Sequence, residues 1–121
     1  MVQAAAKPLT GEPLYHRGIA LYRSGEFFAC HEVLEELWTP MQGPHRLFLQ
    51  ALIHFAVAFY HQQRGNPLGA EKQLRKALRK LEAYLPQYEG VDTATLFAEG
   101  RACLQQILAG ERPAPPRLRA I

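Results

Sequence analysis

The stretch Phe27-Phe28-Ala29-Cys30-His31-Glu32-Val33-Leu34-Glu35-Glu36-Leu37-Trp38 reads as one helix with a polar pair let into the edge of its apolar side. A helix advances about 100° per residue, so Phe27, Cys30, Val33, Leu34, Leu37 and Trp38 gather on one arc, the face a core would take. Glu32 and Glu36 fall on the far side, toward solvent. His31 and Glu35 are four apart and stack on one face. His31 falls at the border of the apolar arc, between Trp38 and Glu35, with Phe28 just beyond. An imidazole there is partly desolvated, and leaving it unpaired would cost about 1–3 kcal/mol. Glu35 can orient it through a hydrogen bond or share a metal ion with it. The helix alone leaves two readings open: an architectural pair that satisfies a border histidine, or part of a working site.

Toward the N-terminus, Ser24-Gly25 ends a preceding helix that opens at Glu12-Pro13, with Gly25 as a left-handed cap. Leu14, Ile19, Leu21 and Tyr22 form its packing face. The link to the His31 helix is so short that the two must run antiparallel. Residues 1–11 are expected to be a flexible arm, residues 12–110 a single helical domain, and residues 111–121 a tail with prolines and arginines, extended and mobile.

Toward the C-terminus, Thr39-Pro40 and Gly43-Pro44 close the helix and form a linker. The third helix, about Pro44 to Gly65, differs in kind. Leu47, Phe48, Leu49, Leu52, Ile53, Phe55, Ala56, Val57, Phe59 and Tyr60 point nearly all round it, so protein should surround it. Its polar exceptions are ordered: Gln50, His54 and His61 lie within one narrow stripe, with Ala51 and Ala58 beside it leaving room. Polar side chains on a buried helix need partners, and His31 and Glu35 are the obvious ones if the second helix packs against this stripe. The plain alternative is a hydrogen-bonded seam with buried water.

Arg64-Gly65-Asn66-Pro67 forms a junction in which Gly65 caps one helix, Asn66 caps the next and Pro67 fits its first turn. A fourth helix, about Pro67 to Leu85, has the inner stripe Ala70, Leu74, Ala77, Leu78, Leu81 and Leu85. Lys72, Arg75, Lys76, Arg79 and Lys80 crowd its outer face, a ridge attractive to phosphates but without accompanying aromatic residues. After a loop, Asp92 caps a last helix over about Thr93 to Ala109, which Gly110 ends. The expected fold is therefore all-α: a compact bundle of about five helices around a central apolar third helix.

The length of 121 residues suits one domain, and the 48% hydrophobic content suits a globular one. The net charge of +3 is weak support for an anionic partner. Cys30 and Cys103 both lie in apolar helical patterns with no CxxC, as expected for buried thiols in a reducing cytoplasm. Met1 to Thr10 lacks the apolar run of a signal peptide, and no run reaches the ~18 residues of a membrane span, so no membrane partner is expected.

The pattern Gly18-x-x-Leu21-Tyr22-x-x-Gly25-x-Phe27-Phe28-x-x-His31-x-x-x-Glu35-x-x-Trp38 resembles the signature of a prokaryotic family known as domain of unknown function 309. The run Tyr60-His61-x-x-Arg64-Gly65-Asn66-x-x-Gly69-Ala70 is similar to that family's second block. The resemblance covers about Leu14 to Leu81. It implies an all-helical fold and a suspected metal motif carried by His31 and Glu35, with Trp38 as its packing member. It also implies that glutamine is admitted where His54 stands, which weakens His54 as a ligand.

Three functions follow as expectations. The first is a ligand pocket between the second and third helices, formed by His31, Glu35, Trp38, Gln50, His54 and His61. Within it, His31, Glu35, His54 and His61 would be metal ligands suited to zinc or another divalent transition metal. A His-Glu-x-x-His protease motif is absent, because Glu35 stands where the second histidine would be. With an open coordination position the natural chemistry would be hydrolysis, but Glu32 and Glu36 point away from it. The second function is a helical module that docks a protein partner or a second copy of itself. The segment from Gly18 to Phe27 resembles a tetratricopeptide hairpin, though no second copy of the repeat is found. The third, ranked last, is nucleic-acid binding through the basic fourth helix. No reaction is assigned.

Overall fold

In the computed structural model, which describes residues 6–121, two glycine junctions set where the chain reverses. Gly25 and Gly65 lie at φ 77° and 71°. Beyond each, the next N–H reaches back to a helix carbonyl: Glu26 to Leu21 at 2.9 Å and Asn66 to His61 at 2.9 Å. These bonds satisfy the last-turn acceptors and stop the helices. The resulting elements are α1 Pro13–Arg23, α2 Phe27–Trp38, α3 His45–Gln63, α4 Pro67–Leu81 and α5 Thr93–Leu108. Two of the starts are capped as the sequence implies, Asn66 accepting from Gly69 N at 3.0 Å and Asp92 from Thr95 N at 3.0 Å. Among the described residues there is no strand, only isolated bridges from Val91 to Tyr88 and to Ala120. The all-α bundle with five helices is the observed fold.

α3 is its centre. Phe48, Leu49, Ala51, Leu52, Phe55, Ala56, Ala58 and Phe59 are each no more than 2% exposed. α2 and α4 flank α3, α1 covers α2, and α5 lies on α4. Burial on several sides is what makes the apolar residues of α3 run all round it. Glycines set two of the closest approaches. A Cβ at Gly18 would lie 2.7 Å from Leu34 Cγ, and one at Gly100 would lie 3.1 Å from Phe55 and 3.0 Å from Leu78.

The chain ends depart from expectation. Of the supposed flexible arm, residues 1–5 lie outside the described residues. From Lys7 onward the arm is tied down. His45 Nε2 donates to Lys7 O at 2.8 Å, Leu9 is fully buried, and Leu9 N donates to the Glu89 carboxylate. The tail, residues 111–121, is extended but held rather than mobile. Pro113 and Pro116 are buried and Leu118 is 5% exposed. Its carbonyls accept from side chains of the bundle: Pro113 from Gln62 at 2.7 Å, Pro116 from Tyr22 at 2.8 Å and Leu118 from Arg23 at 2.8 Å. A proline lacks an N–H but keeps its acceptor, so a composition that reads as loose supplies a segment suited to such docking. The fourth helix also ends earlier than expected, at Leu81, and Glu82–Tyr84 form a 3-10 turn.

Gly18→Ala should drive α1 off Leu34, which is 1% exposed and has little room to yield. We expect a loss of about 1–3 kcal/mol in urea unfolding. Leu118→Ala should cost about 2–5 kcal/mol by the same measurement if the tail is part of the core. A loss near zero would show that the tail is a loose appendage.

Candidate functional site

α2 presents His31 on its border face, as its register dictates. His31 Nε2 donates to Glu35 Oε2 at 2.6 Å, with the two side chains 27% and 47% exposed. In the neutral imidazole this bond places the proton on Nε2 and leaves Nδ1 as an acceptor. Among the described residues, His31 Nδ1 and Trp38 Nε1 are the two buried side-chain nitrogens without a hydrogen-bond partner. Seven residues apart, they belong to one face of α2. One lacks a donor and the other an acceptor, on the same strip of surface.

Beside His31 lies a cavity of about 130 Å³ lined by Phe28, Val57, Tyr60 and His61. At ~30 Å³ per water this is room for roughly four waters or one small ring. Its walls are mostly aromatic. The ring of Phe28 is 5.6 Å from that of His31 and 5.2 Å from that of Tyr60, which is 6.1 Å from that of His61. His61 is set against Gly69, where a Cβ would lie 3.0 Å from its ring, and Asn66 Nδ2 stands 3.4 Å from His61 Nδ1. The second junction therefore positions one wall of the cavity. At the other end of α2, Arg46 lies 4.0 Å over the Trp38 ring and donates to the carbonyls of Trp38 (3.1 Å) and Met41 (2.8 Å). Phe28 read in the sequence as a neighbour of His31, whereas Val57 and Tyr60 read only as packing residues. Val57 stands four before His61, on the same stripe, and that was the available signal.

The remaining candidates are divided. His54 does not join His31; it turns to α4. His54 Nδ1 donates to Gln73 Oε1 at 2.7 Å, and Lys80 Nζ donates to His54 Nε2 at 2.7 Å. With both nitrogens occupied, His54 has none free for a ligand. Gln50 is half-buried and bonds neither histidine. Among the described residues no group of three or more His, Cys, Asp or Glu side chains could hold a metal ion. The expected set of His31, Glu35, His54 and His61 is not assembled, because the stripe on α3 divides between two neighbouring helices. The thiols do not replace it: burial pushes Cys30 up to about 12 and Cys103 up to about 11, so both stay protonated.

The basic ridge is altered in the same way. Arg75 pairs with Glu71 at 3.0 Å, and Lys80 is spent on His54, leaving Lys72, Lys76 and Arg79 as the exposed cations of the ridge without a hydrogen-bonded partner among the described residues. Burial, with Lys80, Lys76 and Arg79 close by, lowers His54 below its ordinary 6.5, outweighing the opposing bond from Gln73. Because the folded value lies below the unfolded one, the unfolded chain takes up this proton first. The contribution of His54 is therefore fully present above pH 6.5 and is lost as pH falls from there through the lowered folded value. His54→Gln should flatten the fall in melting temperature over that window. An unchanged pH profile would mean that the seam does not sense the proton.

The chain is helical in class and bears a paired histidine and carboxylate at the edge of a small aromatic cavity. Residues 15–73 match the family model described as "Domain of unknown function (DUF309)", and over that segment the chain is similar to this family. Relatives are uncharacterized bacterial proteins. YpuF of Bacillus subtilis (strain 168) is 31% identical over 93 residues, covering 74% of this chain and 53% of YpuF. A protein of Aquifex aeolicus (strain VF5) is 26% identical over 100 residues, covering 81% of this chain and 29% of that one. The chain thus spans about half the length of the first relative and less than a third of the second. No helix among the described residues is long and apolar enough to cross a membrane.

Proposed function

We propose that the α2–α3 face is a binding site for a small ligand with an apolar body and one hydrogen-bond donor, and that His31, oriented by Glu35, is its recognition group. The observation that carries this reading is the unpartnered buried Nδ1 of His31, on a ring that borders an aromatic cavity. A native protein seldom leaves such a nitrogen unpaired without a reason. His31 itself lines the cavity, together with the rings of Phe28, Tyr60 and His61. In the neutral ring the Glu35 bond selects Nδ1 as the accepting nitrogen, and the aromatic walls supply contact area for a flat molecule. A divalent ion could still be held by His31 and Glu35 with oxygens of the ligand itself; the pair alone is too few for a structural zinc site. Two buried, protonated thiols support a reducing cytoplasmic setting for this function.

Self-association is the second reading. Phe28 is 49% exposed at the rim of the cavity, where a second copy would cover it. A monomer by sedimentation at high concentration would remove that reading.

Phenol is a suitable probe because it joins a flat ring to one donor; anisole lacks the donor. In an NMR titration phenol should shift Phe28, Val57, Tyr60 and His61, and bind about 2–10-fold more tightly than anisole, the net worth of one hydrogen bond. His31→Ala should remove that preference while leaving the melting temperature nearly unchanged. Zinc is titrated in a parallel arm. Should His31→Ala only lower the melting temperature, with no probe shifting these residues, the pair is architectural.

A further inference from the structure

A second concavity, of about 870 Å³, lies where the tail crosses the α1–α2 turn. One wall is the end of α1 with Tyr22 and Arg23, the floor includes Phe27, and the far wall is the docked segment from Pro115 to Ala120. The walls are fixed. Tyr22 and Arg23 donate to tail carbonyls at 2.8 Å, and Gln63 Nε2 donates to Gly25 O at 3.0 Å. The volume falls within the range of small-molecule sites, roughly 300–1,000 Å³. Its lining carries Arg23, Arg117 and Arg119 and no carboxylate. Of the acids just outside, Glu99 is taken by Arg117 and Glu26 accepts from Ser24 at 2.8 Å. Arg23 spends only its Nε on the tail, and the Arg119 side chain has no hydrogen bond among the described residues. Two guanidinium groups thus border an apolar floor of proline and aromatic rings; neither is hydrogen-bonded to a carboxylate, although the charge of Arg119 acts on Asp92 and Glu99 nearby and helps to lower both.

We propose that this groove binds an organic anion, its phosphate or carboxylate between Arg23 and Arg119 and its flat apolar part against Phe27 and Pro116. Guanidinium groups suit such oxyanions because their paired N–H donors match them two at a time. The site is separate from the cavity beside His31, and either can fail without the other.

Phenyl phosphate and benzoate share a ring and differ in the anion; benzyl alcohol is the neutral control. In an NMR titration at low salt the two anions should shift Ser24, Gly25, Phe27 and Leu118, and the alcohol should not. The stronger of the two names the headgroup. Arg119→Gln should weaken the anion about tenfold with little change in melting temperature, since its side chain makes no hydrogen bond among the described residues and meets Asp92 and Glu99 only through exposed charge. Arg23→Gln should do the same, with tail amide shifts reporting whether the loss comes from loosening of Leu118. Arg79→Gln, an equal loss of charge on α4, should leave binding intact. The proposal is overturned if the anions shift other surfaces instead, if benzyl alcohol binds as well as they do, or if Arg79→Gln weakens binding as much as Arg119→Gln.

Discussion

α3 has almost no face it can give to water. Its nineteen residues are enclosed by α2 and α4, and ten of them are buried. Any polar side chain on such a helix must leave through the seams where its neighbours part, because an unpaired polar group in the interior costs more than most single contacts return. This constraint places the chemistry of the molecule. His54 leaves toward α4, and His61 leaves toward the end of α2. His31 meets the second seam from the other side. The cavity lies there, between Phe28 and His31 of α2 and Val57, Tyr60 and His61 of α3.

The two seams receive histidines of the same stripe and treat them oppositely. On the α4 side, His54 is enclosed by Gln73 and Lys80 with Lys76 and Arg79 nearby, and it is held neutral. No carboxylate takes part, so the bond from Lys80 serves as much to occupy an ammonium group as to fix an imidazole. On the α2 side, His31 has a carboxylate on one nitrogen and nothing on the other. A ring saturated on both sides is a structural element. A ring fixed at one end and unpartnered at the other can serve recognition.

Much of this was legible in the sequence, and the reasons are local. Gly25, Gly65, Asn66 and Asp92 mark helix ends because the geometry of a cap is set within a few residues. The His31–Glu35 bond follows from a spacing of four on one helix. What the sequence did not reveal depends on which neighbour a residue faces. A periodicity places Gln50, His54 and His61 on one stripe but does not say that a seam divides them. Nor does it show that His45, with Tyr88 O–H donating to its Nδ1 at 2.6 Å, would fasten Lys7 to the bundle. The tail was misread for a related reason. With prolines and one buried leucine it has no period to detect, and its attachment runs through its carbonyls, which every sequence possesses.

The family match also divides the molecule in a telling place. Residues 15–73 hold all of α2 and α3, and with them His31, Glu35, Trp38, Phe28, Val57, Tyr60 and His61, but they stop midway along α4. The cavity beside His31 is therefore complete within the matched segment. The larger groove is not. Arg23 lies inside the segment, whereas Arg119 and the whole far wall come from a tail beyond it. That tail is held by side chains of α1 and α3, Tyr22, Arg23 and Gln62, which point to it from within the segment. A chain with the same α1–α3 core and a different continuation would keep the first site and lose one arginine of the second. The two sites thus have different structural origins: one lies in the core that matches the family model, and the other arises where this chain's own C-terminal segment returns to cover it.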